Sequence, residues 1–368
     1  MKNIIIGNGV IIQFGGKEYT NESIIKRATK TVKLSKHPSK IYPEEIQPWL
    51  EQLFGAIPDI LNGRYDRLAV LKGEKEGLDD FKRRYAWVGT KTNNHEIGFE
   101  DYFLIHELFC RNLKISNPNK SDFRECLRMF FLDAIFNEGK INQVYHTFPD
   151  KFKKDLSSYE MILTTNYDKN IESVTGKNVH YLHGAFHILS DLYNSESILN
   201  KVSEPALKAE LDKRYMHLYS NALTYSSGDG KEYLATQSSK ANNFIIKIAE
   251  ASKKNPDIEK QVREWKNSNN LIVKKGYEAI KLYQQDTSNV LSEYYPLETL
   301  KKISGSLIFL GFSPNNDSHI FKPIKENQKI TSIDYYFFSE KEAKIISEYF
   351  DNKSVRLLNV VEYWDSMI

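Results

Sequence analysis

Two polar segments in the middle of the chain carry side chains that could do chemistry. Thr164 to Asp168 read Thr-Thr-Asn-Tyr-Asp, which places the amide of Asn166 two residues before the carboxylate of Asp168. The amide can hold a water molecule or a ribose hydroxyl, and the carboxylate can accept a hydrogen bond from a carboxamide. His183 follows further along the chain, and histidine is well suited to proton transfer near neutral pH. The structural alternatives are an Asn and an Asp that cap the next helix and a histidine that only packs.

Glycine turns stand at two other points of the chain. Gly7-Asn8-Gly9 follows the strand-like residues 3–6 (Asn-Ile-Ile-Ile), and Gly311-Phe312-Ser313 follows the apolar residues 307–310. Glycines let the backbone approach a phosphate, and successive amides can cradle it. The first turn is an incomplete dinucleotide fingerprint, because Ile12 stands where GxGxxG requires its third glycine. Each motif by itself is equally well explained as a tight turn.

A metal site is not expected from these residues. His180 and His187 lie near His183, but alternation along a strand sends His180 and His183 to opposite faces. No carboxylate or cysteine stands beside them with the spacing of metal ligands. The two cysteines, Cys110 and Cys126, form no CxxC pair, which excludes a four-cysteine zinc module.

The elements that must position these residues are strands. Near-continuous apolar runs are typical of parallel strands covered on both faces; they occur at residues 3–6, 161–165, 179–182, 307–310, 333–338 and 355–358. In doubly wound sheets, ligands bind at the carboxyl ends of the strands, where the candidate residues stand.

We therefore predict an α/β fold with a Rossmann-like parallel sheet core that is interrupted by helical insertions. The core comprises residues 1–20, 155–190 and 300–368. The insertions comprise residues 21–154 and 191–299, and the first of them shows helical spacing of apolar residues between Ile46 and Leu53.

Charge and hydropathy disfavour two classes of partner. The 368-residue chain has a net charge of +3, which does not point to nucleic acid as an obligate partner. The basic stretch from Lys26 to Lys40 contains no acid and is interpreted as a solvated face. No apolar stretch approaches the roughly 18 residues of a transmembrane helix, and the run at residues 3–6 is too short for a signal peptide. We expect a cytoplasmic protein without a membrane partner.

In their order along the chain, these motifs resemble those of the sirtuin-like superfamily. Sirtuins carry a glycine motif after the first strand, then Thr-Gln-Asn-Ile-Asp, a His-Gly pair and Gly-Thr-Ser. The corresponding segments here are Gly7–Gly9, Thr164–Asp168, His183-Gly184 and Gly311–Ser313. The Thr-Thr-Asn-Tyr-Asp variant and the Gly-Asn-Gly start look like the bacterial branch found in anti-phage defence, including its abortive-infection relatives. The matching segments cover well under half of the chain.

The resemblance implies that NAD is the substrate and that the bond between nicotinamide and ribose is cleaved through an oxocarbenium-like state, as in glycoside cleavage. Asn166 would position the attacking water or the nicotinamide ribose, and His183 would act as the general base. Asp168 would contact the nicotinamide carboxamide. Asp334 would reach the adenosine ribose. The remaining nucleotide-binding residues would be Gly7, Asn8, Gly9, Thr164, Gly311 and Ser313.

Two departures from the sirtuin pattern narrow this expectation. The zinc module of deacylating sirtuins is absent, and the arginine-bearing loop after the glycine motif has no clear match. Both favour hydrolysis of NAD itself over protein deacylation. We expect an NAD glycohydrolase of abortive infection that needs no metal. Its insertions or homo-oligomerisation would hold it inactive, or it would stay inactive until a phage trigger or an accessory defence protein acts. The alternative is a sensor that binds NAD or ADP-ribose without turnover.

Overall fold

The computed structural model describes most of the chain. The described residues are 2–33, 46–70, 72–89, 92–115, 119–188, 192–193, 201–202, 213–223, 243–269, 271–285, 287, 295–314 and 317–368. Residues 34–40 of the basic stretch lie outside these ranges, so its interpretation as a solvated face stays a prediction.

A parallel sheet forms the centre of the fold. The strands of the described residues are β1 (Lys2–Ile6), β2 (Met161–Thr164), β3 (Val179–Tyr181), β4 (Leu192–Tyr193), β5 (Lys201–Val202), β6 (Gly305–Leu310), β7 (Ile330–Phe337) and β8 (Val355–Asn359). Six of them pair in the order β3-β2-β1-β6-β7-β8, and every pairing is parallel. β4 and β5 form a separate antiparallel pair. The predicted α/β fold with a Rossmann-like parallel sheet is confirmed.

The strand order contains a switch point between β1 and β6. From β1 the chain adds β2 and β3 on one side, and it then returns to add β6, β7 and β8 on the other side. This is the order of doubly wound nucleotide-binding sheets, which bind ligands in the crevice at the switch point. The crevice lies beside the carboxyl ends of β1 and β6, where Gly7 N donates to Leu310 O at 2.9 Å.

Both faces of the sheet are covered, which explains the apolar runs of the strands. Ile4, Ile5 and Ile6 of β1 have no exposed surface, and successive side chains of a strand point to opposite faces. Ile4 and Ile6 accordingly belong to one hydrophobic cluster and Ile5 belongs to another. Full burial of each such side chain stabilises the fold by about 1.5–3 kcal/mol.

The helices surround the sheet and extend the fold beyond it. They are α1 (Gly9–Gly15), α2 (Asn21–Lys33), α3 (Ile46–Gly55), α4 (Ile57–Leu61), α5 (Lys72–Tyr85), α6 (Asp101–Asn112), α7 (Asn119–Phe136), α8 (Asp150–Ser157), α9 (Asn170–Thr175), α10 (243–254), α11 (Pro256–Glu264), α12 (Leu271–Gln285), α13 (Ser318–Glu326), α14 (Glu340–Tyr349) and α15 (Val360–Met367). Short 3-10 segments connect several of them, and the backbone at Asn137–Thr147 includes a kink at Glu138 and Gly139 between two such segments. Among the described residues, no helix is long and apolar enough to cross a membrane.

The helices of residues 21–154 pack directly against one face of the sheet. Their buried side chains, such as Trp49, Phe81 and Phe131, share a continuous cluster with Ile4 and Ile6 of β1. The opposite face packs against α13 and α14. Helices α10, α11 and α12 form a small cluster of their own. The helices of residues 21–154 therefore lie where they can form a wall of any site at the switch point.

Candidate active site

A cavity of about 940 Å³ lies at the switch point. The turns after β1, β2, β3 and β6 all contribute to its wall. The predicted site residues that line it are Gly7, Asn8, Gly9, Asn166, Asp168, His183, Gly311 and Ser313. Residues that are far apart in the sequence are thus brought to one place, at the carboxyl ends of four parallel strands.

Two predicted site residues are not among those that line the cavity. Thr164 is the last residue of β2, and its hydroxyl donates to Ile6 O at 2.9 Å and accepts from Asn166 N at 3.0 Å. Asp334 lies within β7 and accepts two hydrogen bonds from Arg356, at 3.0 and 2.6 Å. Thr164 therefore holds the backbone of Asn166 in place, whereas Asp334 is engaged in an ion pair within the sheet.

The glycine turns pack against each other. A Cβ atom added to Gly7 would stand 2.3 Å from Gly311 O, and one added to Gly311 would stand 2.6 Å from Val10 N. Gly311 also has a φ of +63°, in the left-handed region that favours glycine. Gly9 N donates to Gly311 O at 2.8 Å. Close approach of the two turns is thus sufficient reason for these glycines, with or without a phosphate beside them.

Asn166 is held firmly in the cavity wall. It is buried, and its Nδ2 donates to Gly7 O at 3.3 Å. The bond from its backbone N to Thr164 Oγ1 fixes the turn that carries it. The side-chain amide is therefore oriented before any ligand binds, and it links the turn after β2 to the turn after β1.

The two carboxylate oxygens of Asp168 have different environments. Oδ1 accepts from Asn170 N at 3.0 Å and from Asn170 Nδ2 at 2.6 Å, at the start of α9. Oδ2 is buried and has no hydrogen-bond partner among the described residues. Burial raises the pKa of Asp168 to about 6, although the hydrogen bonds from Asn170 act to lower it. A buried acceptor without a partner is costly, so a ligand that donates to Oδ2 would relieve that cost.

His183 stands against a second histidine. Its Nε2 lies 2.9 Å from Nε2 of His319 and 3.6 Å from Oδ1 of Asp317. The two imidazole rings meet edge to edge through these nitrogens, with centroids 5.0 Å apart and planes inclined by 26°. The 2.9 Å contact requires one ring nitrogen to donate and the other to accept. Asp317 is the N-cap residue of α13, but its side chain makes no capping hydrogen bond to that helix.

The opposite wall of the cavity comes from residues that the sequence analysis did not assign to the site. Glu100 there accepts a hydrogen bond from the Tyr167 hydroxyl at 3.1 Å, which joins the helical wall to the turn after β2. Asp101 is held by two bonds from Arg84, at 2.6 and 2.8 Å. The lining residues from this part of the chain are Asn21, Ile24, Tyr85, Glu96, Gly98, Phe99, Glu100, Asp101, Ile135 and Ile141.

The cavity wall is rich in carboxylates. Among the described residues that line it, Lys17 is the one lysine or arginine, whereas the acidic residues are Glu96, Glu100, Asp101, Asp168, Asp317, Glu342 and Asp365. Arg84 neutralises Asp101 from outside the lining set. A wall of this composition favours a ligand with a positive centre, because unlike charges attract strongly where solvent is displaced.

The site combines a pre-oriented amide, a buried carboxylate oxygen without a partner among the described residues, and a histidine paired with another histidine at the switch point of a parallel sheet. Neither a scan against models of known protein families nor a search of curated proteins finds a match to this chain.

Proposed function

We propose that this chain is an NAD glycohydrolase of the sirtuin-like superfamily, with Asn166 and His183 at its reactive centre. One observation carries the proposal: the four turns that bear the sirtuin-like motifs meet around a single cavity. Its volume of about 940 Å³ is near the upper end of the roughly 300–1,000 Å³ of small-molecule sites, which suits a dinucleotide.

Asn166 and His183 would have different roles in cleavage of the glycosidic bond. The Asn166 amide, held by Gly7 O, would position the attacking water or the nicotinamide ribose. His183 would accept a proton from that water or from a ribose hydroxyl. The imidazolium that results would be stabilised by Asp317 Oδ1, 3.6 Å from His183 Nε2, because a nearby carboxylate favours the charged form of a histidine.

Asp168 would recognise the nicotinamide carboxamide. Its Oδ2 is an acceptor without a partner among the described residues, and a carboxamide carries two N–H donors. The bond would satisfy a buried oxygen that otherwise weakens the fold. It would also place the leaving group next to Asn166, two residues earlier in the same turn.

The acidic wall would favour the reaction electrostatically. Nicotinamide carries a positive charge in NAD, and this charge moves onto the ribose in an oxocarbenium-like transition state. Fixed carboxylates around such a centre stabilise developing charge without reorganising. The phosphates would have to rely on Lys17 and on the backbone of the turns after β1 and β6, which line the same cavity.

A second function is favoured by the histidine pair. His183 Nε2 is already engaged by His319 at 2.9 Å, so this nitrogen has to leave that contact before it can serve as a base. A protein that binds NAD or ADP-ribose as a sensor, without turnover, would need no such rearrangement. The two functions differ in whether nicotinamide is ever released.

Nicotinamide release from NAD by the protein, both purified and in phage-infected extract, tests the proposal. Asn166→Ala and His183→Ala are compared with Asn62→Ala and His146→Ala, which change exposed residues that do not line the cavity. We expect release by wild type and both controls, and none by the two site variants. Release that persists in both site variants would contradict the proposal. Saturable NAD binding in calorimetry without release by the purified protein would favour the sensor or an enzyme that lacks its activator, and no release in phage-infected extract either would favour the sensor.

We further propose that the enzyme acts in anti-phage defence and is held inactive until needed, since unrestrained loss of NAD would be toxic. Homo-oligomerisation, the helical insertions, or a phage trigger or accessory defence protein would control the activity of the enzyme. Turnover measured across protein concentrations and in phage-infected extract tests this. Full activity of the purified monomer, independent of concentration, would refute it.

A further inference from the structure

His183, Asp317 and His319 form a cluster in which one nitrogen or oxygen ligand atom from each residue lies within 4.8 Å of the others. His183 and His319 are buried and Asp317 is partly buried. His183 comes from the turn after β3, whereas the other two residues stand at the start of α13. We propose that these three residues bind a divalent transition metal ion, with zinc as the preferred ion, and that the metal-bound state is inactive.

The distances within the cluster are close to those of a metal site. In a tetrahedral zinc site with bonds of about 2.0–2.1 Å, two ligand atoms stand roughly 3.3 Å apart. His183 Nε2 lies 2.9 Å from His319 Nε2 and 3.6 Å from Asp317 Oδ1, values on either side of that spacing. To bind one ion, the side chains would rotate so that the two ring nitrogens move apart and Asp317 Oδ1 moves closer to His183 Nε2.

The donor set suits zinc and leaves room for an exogenous ligand. Two imidazoles and one carboxylate are ligands that zinc takes in sites with an open fourth position. His183 and Asp317 both line the cavity, so that position would face the cavity. The carboxylates that dominate the cavity wall would favour entry of a cation.

Binding of the metal would exclude the base role of His183. A ring nitrogen that ligates a metal has its lone pair in the metal bond, so it cannot accept a proton from water or ribose. This part of the inference rests on the proposed hydrolase, whereas the metal site itself does not. A metal ion that bridges β3 and α13 would therefore keep the enzyme off until the ion is removed.

Cobalt binding tests the site independently of activity. The untagged full-length protein is stripped with EDTA and titrated with Co²⁺, whose visible absorption reports coordination by nitrogen and oxygen, and then with Zn²⁺ in competition. We expect one equivalent to bind to wild type and to His146→Ala. His319→Ala and Asp317→Ala should bind more than about 100-fold more weakly, because even the loss of an outer-shell partner weakens metal binding by about 10–100-fold.

The outcomes of the titration are distinct. Failure of folded wild type to bind one equivalent, or unchanged affinity in His319→Ala, would overturn the metal site. If His319→Ala does not fold, His319→Gln decides, since it keeps a polar side chain of similar length at this buried position.

Nicotinamide release then tests the inactive state. We expect zinc-loaded protein to lose at least about 90% of the turnover of stripped protein, a tenfold change, and EDTA to restore it. Full turnover of the loaded protein, or loss of turnover on stripping, would overturn the inhibitory role. If no form releases nicotinamide, even in phage-infected extract, the proposed hydrolase fails, while the cobalt titration still decides whether the metal site exists.

Discussion

Substitution of Asp168 by asparagine should affect stability and ligand binding in opposite directions. Burial raises the pKa of Asp168 from 3.8 to about 6, against hydrogen bonds from Asn170 that lower it. The folded protein therefore binds this proton more tightly than the unfolded chain. The stabilisation from the bound proton is fully present below pH 3.8 and is lost as the pH rises through about 6.

The magnitude follows from the two pKa values. The difference between 3.8 and about 6 corresponds to about 3 kcal/mol of unfolding free energy, at about 1.4 kcal/mol per pKa unit. At about pH 8 the whole stabilisation from the bound proton is lost, and at pH 5 about half of it is lost. Asparagine never ionises and keeps an oxygen for Asn170. Asp168→Asn should therefore be more stable than wild type by up to about 3 kcal/mol at pH 8 and by about half of that at pH 5.

Urea unfolding at pH 5 and pH 8 measures the difference in stability. Calorimetry measures the affinity for NAD. We expect NAD to bind Asp168→Asn about 10- to 100-fold more weakly, because a hydrogen bond to a charged group contributes about 1.5–3 kcal/mol. Asp79→Asn is the control, since Asp79 is exposed and does not line the cavity. A variant that is less stable than wild type, or a difference that is the same at pH 5 and pH 8, would refute the reasoning.

Three further substitutions test the packing around the site. Gly311→Ala should destabilise the protein by more than about 2 kcal/mol in thermal unfolding, because a left-handed φ costs roughly 1–2 kcal/mol and its Cβ would also meet Val10 N at 2.6 Å. Gly176→Ala, which has the same φ of +63° but open space around it, should cost only about 1 kcal/mol, and equal losses would contradict this. Arg84→Ala leaves the buried Asp101 carboxylate without its cation and should lower the free energy of unfolding by about 3–5 kcal/mol. A change below about 1 kcal/mol would show that the ion pair contributes little to stability. Asp334→Asn should change the KM for NAD less than about twofold and the free energy of unfolding by at most about 1 kcal/mol, because its partner Arg356 is 68% exposed. A KM raised tenfold would instead place Asp334 at the adenosine ribose.

The strands of this fold could be predicted because their signal is local. Each core strand is a short apolar run that ends in a turn residue, and this pattern needs no knowledge of the rest of the chain. β1, for example, is a run of isoleucines that is buried because helices cover both faces of the sheet. The parallel arrangement follows from the same pattern, since alternating strand and helix segments pack in few ways.

The candidate site could be predicted only where residues stand at strand ends. Asn166, Asp168 and His183 follow β2 and β3 directly, so parallel pairing brings them together. This reasoning does not apply to Asp334, which the resemblance alone suggests and which lies within β7, paired with Arg356 on β8. Which partner a polar residue meets inside a sheet depends on the register of the neighbouring strand, and one sequence pattern does not specify it.

The amino-acid sequence by itself determined the class of fold, the approximate strands and the edge of the sheet at which the candidate site residues stand. Only the tertiary structure decided that His319 meets His183, 136 residues away along the chain, and that helices from residues 21–154 form the opposite wall of the cavity. It also decided that Gly7 and Gly311 are required by the contact between their own turns. The physical reason is that local patterns record which residues are buried, whereas contacts between distant residues arise from packing the whole chain into one core.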